Sequence, residues 1–247
     1  MSTDTPRGLL VAVCGIDGSG TSTQVDRLAE HLGTSTATHV AHVPTDLYRG
    51  DDLVRAVLEP DQRSEENIRE LALFAAFDLA RHARTVLRPR LAAGETVVAD
   101  GYVYGSYAYF RSRGITDVEW LMHLNRYAPV PDVTICLDVP PETAASRVVH
   151  RDGSLRQHRD VDLDRMITSR RLYLDQPWGR RTSFHVVDGA RPVDDVARDV
   201  TSLVESAAQE LTERLEAEAR AARAADAVIE PTDGPPRTPE HGTSVLA

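Results

Sequence analysis

Lysine is absent from this 247-residue chain, in which all 28 basic residues are arginine. Because lysine is among the commonest residues of soluble proteins, any cation that meets an anionic ligand here has to be a guanidinium or a protonated imidazole. A guanidinium brings planar, multi-donor geometry in place of a point charge. Cysteine is almost as scarce: Cys14 and Cys136 both sit inside short apolar runs and read as buried thiols rather than as a disulfide or a metal site. No run of about 18 uncharged apolar residues occurs, so no membrane-spanning helix is expected. The opening MSTDTPRGLL lacks the basic-then-apolar layout of a secretory leader, and the expectation is a cytoplasmic protein with no membrane partner. A basic excess is missing too. The net charge of −10 argues against a general nucleic-acid partner, which needs a cationic face to displace counterions, but leaves small anionic ligands open.

What is present is a regular alternation. The apolar run GLLVAVCG (8 to 15) precedes TSTQVDRLAEHLG, whose Val25, Leu28, Ala29 and Leu32 fall at helical spacing. Further strands are expected at 38–44, 95–100, 132–140 and 182–189, with helices at 66–94, after Pro140, through most of 154–176, and from Val193 to Val228. Strands separated by helices imply an α/β fold with a parallel β-sheet flanked by helices. The expected organisation is a disordered N-terminus (1–7), one domain (8–205), an amphipathic C-terminal helix (206–229) and a disordered Pro-rich tail (230–247).

The densest signal is CGIDGSGTSTQ (14 to 24), which nearly completes the phosphate-binding pattern G-x-x-x-x-G-K-[ST] but carries Thr21 in the lysine's place. Gly15, Gly18 and Gly20 allow a tight turn and close backbone approach to phosphate oxygens, with Ser19 between them. A helix beginning near Thr21 would present free N–H groups and the positive end of its dipole. Ser22 stands where the pattern's hydroxyl meets Mg²⁺, and Thr23 can add a donor. The plain alternative is an ordinary glycine-rich strand-to-helix turn.

The loop, with PTDLYRGDDLVRAVL (44 to 58), the 73–110 stretch that includes VADGYVYGSYAYF, and PDVTICLDVPPETAASR (131 to 147), resembles the thymidylate kinase family in the same order along the chain. The resemblance covers roughly residues 8 to 205 and implies a P-loop NTPase fold with an arginine-bearing lid. It implies ATP with Mg²⁺ as the donor and a pyrimidine (deoxy)nucleoside monophosphate, dTMP converted to dTDP, as the acceptor reaction, with a homodimer as the common assembly. By the same resemblance Asp17 faces the acceptor and metal, Ser22 and Asp100 are linked to the metal, and Arg147 lies against adenine. Arg151, Arg156 and Arg159 belong to the lid, and Arg49, Phe74, Asp78 and Tyr109 to the acceptor site.

Three of the family's cations are missing. Thr21 replaces the loop lysine and Gly101 replaces the arginine of D-R-Y, which grips the acceptor phosphate. The arginine that reads the thymine ring falls on Asp78 when counted forward from Phe74 and on Leu79 when counted back from Arg88. Arg49, Arg55, Arg81, Arg111 and Arg113 are candidate substitutes. The losses leave two other readings open: a nucleotide-binding sensor or partner subunit without turnover, and, were Asp78 to accept a hydrogen bond from a base, a preference for a cytidylate-type or modified pyrimidine. A kinase for a non-nucleotide acceptor has no positive feature behind it.

Overall fold

The computed structural model describes residues 7–57, 64–152, 162–175 and 182–228. Within them β1 (Leu10–Gly15), β2 (Thr38–His42), β3 (Thr96–Asp100), β4 (Val133–Asp138) and β5 (Ser183–Asp188) form one sheet in the order β2-β3-β1-β4-β5. Every pairing is parallel, so each strand is joined to the next by a helical crossover. Connections from β1 and β3 diverge to opposite sides of β1, which places a crevice beyond its carboxyl end.

The helices are α1 (Thr21–Gly33) after β1; α2 (Asp46–Arg49), α3 (Asp52–Val57) and α4 (Glu65–His82) after β2; and α5 (Arg88–Ala92) leading into β3. Between α4 and α5 the helix passes through a π turn, Ala83–Leu87. Then come α6 (Tyr102–Arg111) and α7 (Val118–Leu124), α8 (Pro141–Asp152) and α9 (Leu163–Leu174), and finally α10 (Val193–Val228).

β1 shows why these layers form. Leu10, Ala12 and Cys14 point into the main core with Val97, Ala99, Cys136 and the inner faces of α4, α6 and α9. Val11 and Val13, equally buried, point the other way, toward the face where α1 packs across β1, β2 and β3. Arg170 on α9 holds both oxygens of Asp138 at 2.6 and 2.8 Å, pinning α9 to the end of β4. Cys14 and Cys136 stand opposite each other in register, buried and unbridged. Burial, then contact with Cys136, pushes the Cys14 thiol pKa up, so these are inert core thiols.

Most expected elements form. The sequence Tyr102–Arg111 was not expected as a helix, and the stretch expected as one helix over 66–94 is interrupted by the π turn. The compact unit of the fold ends at Leu211, within α10. Beyond it the described residues continue as helix, with Arg220 and Glu216 3.7 Å apart. The tail expected at 230–247 lies outside the described residues, as do Arg156 and Arg159. Among the described residues no helix is long and apolar enough to cross a membrane.

Candidate active site

The loop leaving β1 turns tightly: the Ser19 N–H donates to the Ile16 carbonyl at 3.0 Å and the Gln24 N–H to the Gly20 carbonyl at 3.0 Å. Gly18 has φ +79, and a Cβ there would stand 2.2 Å from the Ala144 carbonyl oxygen, so glycine is what lets the loop lie on α8. α1 begins at Thr21 with no side-chain cap. Its first N–H groups and positive dipole end are therefore left for an anion. The Ser19 hydroxyl is buried with no hydrogen-bond partner among the described residues.

Ser22 and Asp100, expected at the metal, are brought together: the Ser22 hydroxyl donates to Asp100 Oδ2 at 2.8 Å. Register is the cause, because Asp100 stands opposite Val13 at the end of β3, beside the loop. His42 Nδ1 lies 3.8 Å from the same oxygen. Among the described residues no three His, Cys, Asp or Glu side chains gather as a metal cage. A hydroxyl and a carboxylate at the phosphate loop fit Mg²⁺, which keeps waters and takes substrate oxygens rather than a full protein cage. Asp17 is approached by Arg151 Nη2 at 3.7 Å, both side chains half exposed.

Beside the loop opens a cleft of about 500 Å³. Gly15, Asp17 and Gly101 line its loop end, and Tyr48, Ala75, Tyr109, Phe110 and Arg113 line other walls. Arg49 also faces it, its Nε donating to the Pro44 carbonyl at 2.8 Å. Arg165, Ser169 and Tyr173 close it from α9; they were not singled out from the sequence, where only their place within the stretch expected as the lid could have marked them. A hollow of similar size, about 520 Å³, lies between α8 and α9, but it touches no loop residue and its Arg170 is committed to Asp138. On the far side of the loop Ser19, Gly20 and Thr23 share a pocket of about 270 Å³ with Arg147 and Arg191, and Arg147 Nη1 donates to the Gly189 carbonyl at 3.1 Å.

Phe74, partly buried, packs its ring 5.5 Å from that of Tyr48, which lines the cleft. One acceptor-site expectation is corrected. Asp78 is 0% exposed. It accepts from the Thr45 N–H at 2.8 Å and the Thr45 hydroxyl at 2.6 Å, so its two oxygens hold the segment after β2 in place. A carboxylate so engaged and so buried does not read a base, and the cytidylate reading built on it falls.

A central strand running through a glycine loop into an uncapped helix, with an acceptor-sized cleft beside the loop, defines a nucleotide-binding protein of the P-loop kinase class. The sequence profile of thymidylate kinase matches residues 13–200. A probable thymidylate kinase of Pyrococcus horikoshii is 32% identical over 202 residues, covering 80% of this chain and 96% of that protein. Another from Pyrococcus abyssi is 33% identical over 204 residues, with 80% and 96% covered. A thymidylate kinase of Symbiobacterium thermophilum is 32% identical over 195 residues, with 77% and 90% covered. The chain belongs to the thymidylate kinase family.

Proposed function

We propose that this protein transfers the γ-phosphoryl group of ATP to dTMP, yielding ADP and dTDP. The observation that carries the reading is the continuity of one cleft from the phosphate loop to an aromatic wall at Tyr109, within a chain of this family. An oxygen of the acceptor phosphate forms a bond to the γ-phosphorus as the bond to the β–γ bridging oxygen breaks. Catalysis of such a transfer is mostly positioning and charge stabilisation.

The chain's own groups supply both. Loop amides and the start of α1 hold the donor phosphates. Ser22 and Asp100 would hold Mg²⁺, whose chemistry is to neutralise and align phosphate oxygens. Arg151, beside Asp17, brings a guanidinium to the loop where lysine is missing, and Arg156 and Arg159 are read as its companions in the lid. Arg147 lies on the donor-base side and Arg49 on the acceptor side. A homodimer is part of the same reading: α4 leaves Leu73 and Phe77 52% and 58% exposed, one turn apart.

The test is ADP formation with dTMP, dUMP and dCMP as acceptors. Acceptor-dependent ADP with dTMP as best substrate is expected. ATP binding by calorimetry without acceptor-dependent ADP would overturn the reading in favour of a sensor or partner subunit.

A further inference from the structure

We infer that Arg113 reads the acceptor base, donating to its ring carbonyls and setting the preference for thymine over cytosine; this rests on the dTMP kinase reading above. α6 runs along the cleft from Gly101, at the phosphate loop, to Arg111, about 15 Å at 1.5 Å per residue. Tyr109, Phe110 and Arg113 therefore lie at the end away from the phosphates, where the base of a bound monophosphate belongs. The Arg113 guanidinium carbon lies over the Tyr109 ring, 3.4 Å from its centroid. Its Nη1 donates to the Tyr109 carbonyl at 3.3 Å, so a cation–π contact and a backbone contact both orient it. It is also within electrostatic reach of the Tyr48 hydroxyl, which lines the same cleft; burial, then Tyr109, raise that hydroxyl's pKa and Arg113 pulls the other way.

The chemistry of that end is one-sided. A guanidinium carries five donors and no acceptor, and the aromatic and small apolar walls of Tyr48, Ala75 and Phe110 suit a flat ring. Among the lining residues the only carboxylate is Asp17, at the loop end, and Asp78 is spent on Thr45. A base presenting carbonyl oxygens is matched by such a site. An exocyclic amine meets the guanidinium's donors and finds no carboxylate at that end, and a site built on a hydrogen bond rejects the analogue that leaves it unpaired.

The experiment compares kcat and KM for dTMP, dUMP and dCMP in the full-length protein, in Arg113→Met and in Arg113→Lys, with the KM for ATP and the melting temperature of each. Arg113→Met should raise the KM for dTMP roughly 10- to 100-fold, leave the KM for ATP unchanged, and shrink the dTMP-over-dCMP ratio of kcat/KM by a similar factor. Arg113→Lys keeps the charge without the fork and should fall between. If Arg113→Met proves unstable, Arg113→Lys and dTMP calorimetry carry the same comparison. Variants that bind dTMP more weakly yet keep the wild-type base preference overturn the assignment while the functional reading stands. A wild type that phosphorylates no pyrimidine monophosphate overturns both.

Discussion

With Thr21 in the loop, the groups placed there to meet an anion are backbone N–H groups, the end of the α1 dipole and Arg151, beside Asp17. Thr21→Lys places a cation among the donor phosphates, where charge develops during transfer, and is expected to raise kcat. The same cation at a helix N-terminus opposes the dipole and costs about 0.3–1 kcal/mol of stability, so turnover should rise while the denaturation midpoint falls slightly. A rate unchanged by the substitution would place residue 21 away from the phosphates. Gly101 behaves differently. Its φ is +90, and a Cβ there would stand 2.8 Å from the Val43 carbonyl oxygen. The backbone is built around the missing side chain, and Tyr102 after it also has positive φ, 62°. Gly101→Arg should therefore destabilise by about 1–3 kcal/mol and leave acceptor KM no better, measured by urea denaturation and steady-state kinetics.

α4 and the π turn at its C-terminal end explain why part of the site was hard to read. The two registers that put either Asp78 or Leu79 in one place differ by a single residue, and between the two counting points lies the π turn Ala83–Leu87. A π turn closes i to i+5 and takes one residue more than an α turn, so no single α register spans the stretch. Nothing in ARTVL announces this. α6 was hidden for another reason: YVYGSYAYF is rich in strand-favouring aromatics, yet Tyr102, Tyr104, Tyr107 and Phe110 are buried as one helical segment against the core, and tertiary packing overrides propensity. By contrast the loop, Ser22, Asp100 and the alternation of strands with helices were legible because they depend on local pattern and on apolar runs. Arg113 and Arg165 enter the cleft from different elements, and only the folded chain brings them together. For α4 itself, the wild type should sediment as a dimer at tens of micromolar and Phe77→Asp as a monomer, with stability of the subunit changed by no more than about 0.5 kcal/mol. A monomeric wild type would remove the dimer.

For the molecule as a whole, two histidines make stability depend on pH near neutrality. His39 is held below its ordinary 6.5 by burial, then by Arg90 and His82; His82 is held below it by burial, with Asp78 pulling upward and Arg81 downward. The folded chain thus refuses protons that the unfolded chain accepts below pH 6.5. Stability contributed this way is complete above the unfolded value and is lost as pH falls below it toward the depressed folded values. The urea midpoint should drop between about pH 7 and 5.5, above the ordinary carboxylate range, and His82→Gln should flatten that drop. Equal slopes for wild type and variant would discount His82. The adjacency of Phe77 and Asp78 on α4 has its own consequence at this scale. One side chain is exposed, and the other is fastened to Thr45, next to Pro44 in the wall of the cleft. A second copy seated on Phe77 would press on the same helical turn that fixes that wall. Association and acceptor binding would then be linked equilibria, each changing the other's constant by one common factor, and the apparent affinity for dTMP should vary with protein concentration across the dimer dissociation constant.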